Sequence, residues 1–217
     1  MTGKTWDQLW TDDKSESIWI LPDTEVAGVI PRLLAEGVHS VLDLGCGLGR
    51  HTILLAGSGF KTCAFDTSGH GLEHCRQWLS ARGLAASLTR GDMGSLPYGD
   101  SRFDFILAWN VVYHAIRKDL IHTLQEVFRV LRSGGRFYLT LNSTRNEWFG
   151  KGTEVEPRTY FNPDKGDGRH VHYFCDREDV LDLMSGWHVE EIKETEQTFR
   201  GRLYPDTWHW TVQVRKP

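Results

Sequence analysis

The chain has 217 residues, 25 of them Lys or Arg and 29 Asp or Glu, which gives a formal net charge of −4. This length predicts a single domain that spans residues 1–217 and buries its own core. An acidic chain without a Lys/Arg run argues against nucleic acid as the main partner, and no apolar run is long enough to span a membrane. The polar N-terminus and four sparse cysteines predict a cytoplasmic protein.

Tryptophan is unusually frequent, with nine residues, and Trp6, Trp10 and Trp19 crowd a polar N-terminal segment. Core packing is the simplest explanation for most of the tryptophans. Three of them in so short a segment could also wall a ligand pocket. We interpret residues 1–37 as an N-terminal helical cap and expect Trp19 to contact a substrate.

Residues 38–142 alternate short apolar runs with longer amphipathic stretches. The apolar runs predict strands at 40–44, 61–65, 86–89, 103–109 and 136–141, and the amphipathic stretches predict helices at 50–57, 72–82 and 120–131. Strands that alternate with helices are typical of a parallel sheet with crossover helices. The sequence therefore predicts a doubly wound, Rossmann-like α/β fold with helices on both faces of the sheet.

The rhythm changes after Asn142. Residues 143–175 are rich in Gly, Pro, Asp and Asn and show no clear period, which is typical of a lid or binding loop. Residues 176–217 predict a helix at 177–184 followed by strands at 188–198 and 207–214. The short link between these two strands favours an antiparallel hairpin over a crossover.

A glycine-rich turn, Asp43-Leu44-Gly45-Cys46-Gly47-Leu48-Gly49-Arg50, follows the first strand and opens the first helix of this region. Glycines let the backbone approach a ligand, and a helix N-terminus offers N–H groups to an anion. A dinucleotide turn has the pattern G-x-G-x-x-G, whereas Arg50 stands here at the third glycine position. The carboxylate of Asp43 would repel a pyrophosphate and attract a cationic amino or sulfonium group.

Polar residues also end the following strands. Asp66 is placed to accept hydrogen bonds from ribose hydroxyls, and Asp92 with Met93 could bind the amine and ring of an adenine. The fourth strand runs into Trp109, Asn110, Tyr113 and His114. Ligands bind at these carboxyl ends in open α/β sheets, so we expect one site there.

Taken together, these motifs resemble the class I S-adenosylmethionine-dependent methyltransferases. The matching residues are 41–50, Asp66, Asp92, 103–106 and 126–135, in order and spacing over residues 38–142. The nearer resemblance is to the small-molecule branch that includes tellurite- and thiopurine-type methyltransferases. It implies S-adenosyl-L-methionine as cofactor and a seven-stranded, mostly parallel sheet whose last strand is antiparallel.

The resemblance also implies roles for single residues. Gly45 and Gly47 would line the methionine portion of the cofactor, and Asp43 would lie near its amino group. Asp66 would hold the ribose. The cofactor-binding residues predicted in this way are Asp43, Gly45, Cys46, Gly47, Gly49, Asp66, Thr67, Asp92, Met93, Trp109 and Asn110.

The acceptor side depends on the nucleophile that attacks the methyl group. A thiolate would need no general base, whereas a hydroxyl or ammonium acceptor would need one. His114 is the candidate base, with Tyr113 beside it, because an imidazole titrates near neutral pH. The alternative is a structural histidine at a helix end.

A second histidine cluster lies at His170 and His172, which point to one side of an extended segment and could seat a metal. No Asp, Glu or Cys stands at a recognised ligand spacing, so we predict no metal site. We expect instead a lid that places Tyr173 and the histidines over the substrate. The alternative is a simple lead-in to the helix that Asp176 caps.

The turn after the fourth strand reads Asn110-Val111-Val112-Tyr113. It lacks both prolines of the Asn-Pro-Pro-Tyr turn found in enzymes that methylate amines of nucleic acids or proteins. The predicted function is therefore methyl transfer by in-line displacement to a small, apolar or soft acceptor, without nucleic acid or membrane as partner. The alternatives are a non-catalytic S-adenosylmethionine-binding module and a nucleotide-dependent oxidoreductase.

Overall fold

A computed structural model of the chain describes residues 5–11, 19–163, 170–199 and 202–217. The helices are α1 (Trp6–Trp10), α2 (Thr24–Ala35), α3 (Arg50–Gly57), α4 (Gly69–Ala81), α5 (Arg117–Val130) and α6 (Arg177–Leu183). The strands are β1 (Ser40–Leu44), β2 (Lys61–Asp66), β3 (Ser87–Arg90), β4 (Phe103–Ala108), β5 (Leu131–Ser143), β6 (Thr153–Glu156), β7 (Thr159–Phe161), β8 (Val171–Cys175), β9 (His188–Phe199) and β10 (Arg202–Arg215).

Seven strands form the central sheet in the order β3-β2-β1-β4-β5-β10-β9. The first five are parallel, β10 is antiparallel to β5, and β9 is antiparallel to β10. The predicted Rossmann-like fold with a closing antiparallel hairpin is therefore confirmed. The strand order reverses between β1 and β4, and the crevice at such a reversal is where open α/β sheets bind ligands.

Helices cover both faces of this sheet. Strand β4 has apolar side chains on both faces, and each face is buried against a helix. Ile106 packs in one buried cluster with Leu120 and Leu124 of α5, whereas Phe105 packs in another with Val26, Ile30 and Leu33 of α2. Strands buried on both faces lose the polar alternation of a half-exposed strand. This explains why β4 has a nearly continuous apolar sequence.

The region 143–175 is more regular than the sequence indicates. Residues of β6 and β7 form an antiparallel hairpin, and β8 pairs with β7 and also with the end of β5. These strands are three to five residues long, too short to show a period. Residues 164–169 of the expected lid lie outside the described residues, and the predicted division into segments stays a prediction.

The second crossover helix begins earlier than predicted. The sequence predicts 72–82, whereas α4 starts at Gly69. The Ser68 hydroxyl accepts a hydrogen bond from the Gly71 amide at 2.9 Å, which caps the helix and keeps two glycines helical. None of the described helices has the length and hydropathy of a membrane-spanning segment.

Candidate active site

A cavity of about 310 Å³ lies at the carboxyl ends of β1, β2, β3 and β4. Its lining residues are Trp6, Trp10, Leu44, Gly45, Phe65, Asp66, Thr67, Gly91, Asp92, Met93, Asn110, Val111, His114 and His170. Residues from four strand ends, α1 and the segment before β8 therefore meet at one place. The volume is within the range of small-molecule sites.

Gly45 and Gly49 are required by their surroundings. Both have positive φ angles, 72° and 97°, which side chains rarely adopt. A Cβ on Gly45 would lie 2.2 Å from Cγ2 of Val111, and a Cβ on Gly49 would lie 2.5 Å from Sγ of Cys75. Gly45 thus brings the loop against the cavity wall, whereas Gly49 packs the start of α3 against α4.

The amides of the glycine loop bind within the protein. Gly45 N and Cys46 N donate to the Phe65 carbonyl at 2.7 and 3.1 Å, and Gly49 N donates to the Cys46 carbonyl at 2.9 Å. Gly47 N donates to Oδ2 of Asp66 at 2.7 Å. These four loop amides are therefore not available to an anion, and the expectation that the N-terminus of α3 offers N–H groups to an anion stays a prediction.

Two carboxylates give the cavity a negative wall. Asp66 is held from both sides, because Oδ1 accepts from the Ser68 amide at 2.7 Å and Oδ2 from Gly47. Burial raises its pKa above the ordinary value, although these backbone hydrogen bonds lower it. Asp92 accepts from the Gly94 amide at 2.8 Å. Among the lining residues that the structure describes there is no lysine or arginine.

Three predicted cofactor residues lie behind the loop. Asp43 accepts a 2.6 Å hydrogen bond from the Thr52 hydroxyl, which ties β1 to α3, and burial raises its pKa to about 6. Cys46 is buried in a cluster with Ala64 and Leu72. Gly49 packs on α4. None of the three is among the residues that line the cavity, and Gly47, which was predicted to line the methionine portion, is not among them either.

Trp109 and Asn110 diverge after β4. The ring of Trp109 lies 5.0 Å from that of Tyr138, in the cluster that packs under α2. The prediction that Trp109 lines the cavity is therefore not met. Asn110 has a positive φ of 59° and turns back to the cavity. Its amide donates to the Thr140 hydroxyl at 2.7 Å, and that hydroxyl donates to Asn110 Oδ1 at 3.1 Å.

Imidazole and indole rings form the other end of the cavity. The His114 ring lies 4.7 Å from that of His172 and 4.9 Å from that of Trp6. His170 stacks on Trp6 at 4.1 Å with an interplanar angle of 11°. Both histidines of the second cluster therefore lie near His114, but only His170 lines the cavity, whereas His172 is buried behind it. Within the described ranges no group of three or more His, Cys, Asp or Glu side chains could hold a metal.

Three other residues predicted for the substrate side do not line the cavity. Tyr113 is buried, with its ring 4.6 Å from that of His114. Tyr173 belongs to the core because β8 is a buried strand, and its amide donates to the Tyr113 carbonyl at 2.9 Å. Trp19 lies behind Trp10 as seen from the cavity. Its ring is 6.3 Å from that of Trp10, and the Arg50 guanidinium lies 5.0 Å above the Trp19 ring.

Trp6 and Trp10 line the cavity although they were not among the predicted site residues. The crowding of tryptophans in a polar segment was the signal for them. The position of α1 depends on Asp7, which accepts hydrogen bonds from the Ser68 hydroxyl at 2.7 Å and the His70 amide at 3.0 Å. A contact over sixty residues of sequence has no local signature.

Comparisons with known proteins agree with this geometry. Residues 41–135 match the family described as "Methyltransferase domain". The methyltransferase GfsG of Streptomyces halstedii is 36% identical over 108 residues, which cover 48% of this chain and 38% of that protein. The protein YqeM of Bacillus subtilis is 27% identical over 172 residues, 76% of this chain and 67% of that protein.

A crystal structure of an S-adenosylmethionine-dependent methyltransferase from Methanosarcina mazei has the same fold. Its TM-score is 0.70 at 19% identity, and the superposition covers 82% of this chain and 92% of that one. The match to GfsG spans well under half of that relative's length. Over residues 41–135 the chain is thus similar to methyltransferase domains, and it shares the fold of an S-adenosylmethionine-dependent methyltransferase.

Proposed function

We propose that this protein transfers a methyl group from S-adenosylmethionine to a small-molecule acceptor that binds beside His114. The proposal rests on one observation: a single cavity joins a carboxylate-lined end at Asp66 and Asp92 to an imidazole end at His114 and His170. The first end suits the cofactor, and the second suits the acceptor. We also propose that the protein acts in the cytoplasm, in keeping with its four buried free cysteines, and without nucleic acid as partner.

The lining residues fit S-adenosylmethionine better than a dinucleotide. A cavity with two carboxylates and no described lysine or arginine suits a sulfonium cation and opposes a pyrophosphate. Four amides of the glycine loop already have partners, so they cannot cradle phosphate oxygens. In this proposal Asp66 binds the ribose, Asp92 and Met93 bind the adenine, and Gly45 with Asn110 flanks the methionine portion.

The bound cofactor supplies an activated methyl group on its sulfonium sulfur. Asp66 and Asn110 would hold the cofactor so that the nucleophilic atom of the acceptor could take the methyl group as the carbon–sulfur bond breaks. His114 takes the proton of a hydroxyl or amine acceptor on an imidazole nitrogen. Alignment and exclusion of water then supply most of the rate, and Trp6 and Trp10 wall the cavity for this purpose.

The proposal is tested by calorimetric titration with S-adenosylmethionine, S-adenosylhomocysteine and NAD. We expect binding of both sulfur compounds at micromolar concentrations and none of NAD. Methyl transfer is then measured against a panel of thiols, alcohols, phenols and amines. Binding of NAD alone would overturn the cofactor assignment. Binding without turnover on any acceptor would favour the non-catalytic module.

A further inference from the structure

Two side chains that line the cavity carry a buried N–H group without a hydrogen-bond partner. Among the residues that the structure describes, Nε1 of Trp10 and Nδ2 of Asn110 are in this situation. More than nine in ten buried polar groups in proteins have a partner, so each of these donors needs a physical reason. Because both residues are only half-buried and line the cavity, a ligand in the cavity can supply the partner.

Both donors lie beside the glycine loop. A Cβ on Gly47 would lie 3.0 Å from Cζ2 of Trp10, so the indole packs on Gly47 and lines the cavity where Gly47 does not. Asn110 precedes Val111, whose Cγ2 lies 2.2 Å from the position of a Cβ on Gly45. The proposed function places the methionine portion of S-adenosylmethionine along this loop, and the two donors therefore belong to that portion of the site.

The Asn110 side chain presents its donor rather than its acceptor. The Thr140 hydroxyl accepts from the Asn110 amide at 2.7 Å and donates to Oδ1 at 3.1 Å, so the side-chain oxygen already binds within the protein. The indole nitrogen of Trp10 is a donor only. The two side chains thus offer N–H groups to the cavity, and the partner that suits both of them is an oxygen with free lone pairs.

The methionine portion of the cofactor carries such oxygens in its carboxylate. No lysine or arginine lines the described part of the cavity, and four amides of the glycine loop donate within the protein. Neither a cationic side chain nor these amides are then available to the carboxylate. Hydrogen bonds to an ionised group are stronger than those between neutral groups, so two neutral N–H donors can hold it.

We propose that Nε1 of Trp10 and Nδ2 of Asn110 bind the carboxylate of S-adenosylmethionine, which is held by neutral donors rather than by a cation. The inference rests on the proposed function, because it assigns two residues to the cofactor of that reaction. Neighbouring side chains cover both N–H groups, and the side-chain adjustment that commonly accompanies binding uncovers them. Helix α1 then contributes to the affinity for the cofactor in addition to walling the cavity.

The first test compares S-adenosylmethionine with decarboxylated S-adenosylmethionine, which lacks only the carboxylate, by calorimetric titration of the full chain. We expect the wild type to bind the compound with the carboxylate at least about 30-fold more tightly. Trp10→Phe keeps an aromatic ring and removes the N–H group, so this preference should fall about tenfold. No preference in the wild type, or an equal loss of affinity for both compounds in the variant, would overturn the assignment.

Trp6→Phe is the matched control for Trp10→Phe. Trp6 lies one turn earlier on α1 and lines the cavity beside His114 and His170. The control should change the affinities for both compounds by the same factor. If its preference fell as much as that of Trp10→Phe, the position of α1 and not the N–H group would set the preference, against the proposal.

Asn110→Asp tests the second donor by reversing its charge preference. Aspartate tolerates the positive φ of 59° and keeps an oxygen for the Thr140 hydroxyl, so we expect the fold to be retained. The new carboxylate repels that of the cofactor and attracts the ammonium group of the decarboxylated compound. The variant should therefore prefer decarboxylated S-adenosylmethionine. An unchanged preference for S-adenosylmethionine would contradict the role of Asn110.

The buried guanidinium beside Trp19 is the competing partner for the carboxylate. If the preference survives in Trp10→Phe and Asn110→Asp but is lost in Arg50→Gln, Arg50 binds the carboxylate and the inference fails. The proposed function is a separate matter, because it stands whenever S-adenosylmethionine binds and its methyl group is transferred. If the wild type binds neither compound, the proposed function itself is lost.

Discussion

The cofactor end and the acceptor end of the cavity are built in different ways. At the cofactor end, Asp66 is bound by amides of its own turn and of the neighbouring loop. At the acceptor end, Trp6, His114 and His170 come from segments far apart in the chain. The first end is therefore held by hydrogen bonds with nearby backbone amides, whereas the second depends on ring contacts between distant segments.

The two ends also differ in charge. Carboxylates line the cofactor end, and imidazoles line the acceptor end. In the proposed function the carboxylates suit a cationic cofactor, and an imidazole serves as the general base.

The largest effect should come from His114→Ala, which tests whether the acceptor end carries the chemistry. We expect kcat to fall by about 10²–10⁴-fold, the usual contribution of a general base, with little change in binding of S-adenosylhomocysteine. The rise of wild-type kcat with pH should also disappear in the variant.

Steady-state kinetics over a range of pH, together with calorimetry, measures both effects. His39→Ala is the control, because His39 is exposed and lies outside the cavity. A wild-type rate in His114→Ala would leave His114 a structural role only.

The next effect tests the cofactor end. Gly45→Ala should destabilise the fold by roughly 2–4 kcal/mol and weaken binding of S-adenosylmethionine, because it combines a strained φ with a clash against Val111. Gly37→Ala is a matched control with the same φ of 72° and open space around its Cβ position.

Gly37→Ala should therefore cost only about 1 kcal/mol and leave the affinity for the cofactor unchanged. Chemical unfolding and calorimetry of both variants separate the two contributions. Equal losses in the two variants would show that close approach to Val111 has no importance.

The two ends of the cavity also differ in how well they can be predicted from the sequence. The fold and the cofactor end follow from local patterns, because a strand, a glycine turn and a helix occur within one short segment such as 40–57. Asp66 and Asp92 follow from their places at strand ends. Trp109 was predicted to line the cavity but packs in the core, because the positive φ of Asn110 turns the two side chains in different directions. This φ angle was not predicted from the sequence.

The acceptor end is poorly predicted because its contacts are not local. His170 and His172 were identified, but Tyr173, which follows His172, points into the core, since successive residues of a strand face opposite sides.

A third prediction concerns Asp43, whose burial raises its pKa to about 6. The unfolded chain has a value of about 3.9, so between these values the folded protein binds more protons than the unfolded one, and stability falls as the pH rises. The fall should reach up to about 3 kcal/mol by neutral pH. Asp43→Asn should remove this slope.

Chemical unfolding at several pH values measures the slope in both proteins. Calorimetry with S-adenosylhomocysteine and methylthioadenosine, which lacks the amino-acid portion, then separates a structural role from a binding role. Asp43 does not line the cavity, so the variant should change the affinities for both ligands by the same factor. If the variant lost affinity for S-adenosylhomocysteine alone, Asp43 would instead bind the amino group of the cofactor.

The smallest effect concerns the junction between the two ends, where Asp7 holds α1 against the start of α4. The hydrogen bond from Ser68 and that from the His70 amide lower the pKa of Asp7. Its contribution is therefore present above the unfolded value of about 3.9 and is lost as the pH falls through the lower folded value. Because the Asp7 side chain is 44% exposed and so partly screened by solvent, Asp7→Asn should cost only a few tenths of a kcal/mol.

Hydrogen exchange at the Leu9 amide, which donates to the Thr5 carbonyl, reports this local opening. At neutral pH, Asp7→Asn should exchange about twofold faster than the wild type, and the difference should shrink at acidic pH. Asp119→Asn is the control, since Asp119 lies in the first turn of another helix, α5. Faster exchange in the control, or the same difference at every pH, would mean that α1 is held by its tryptophans alone.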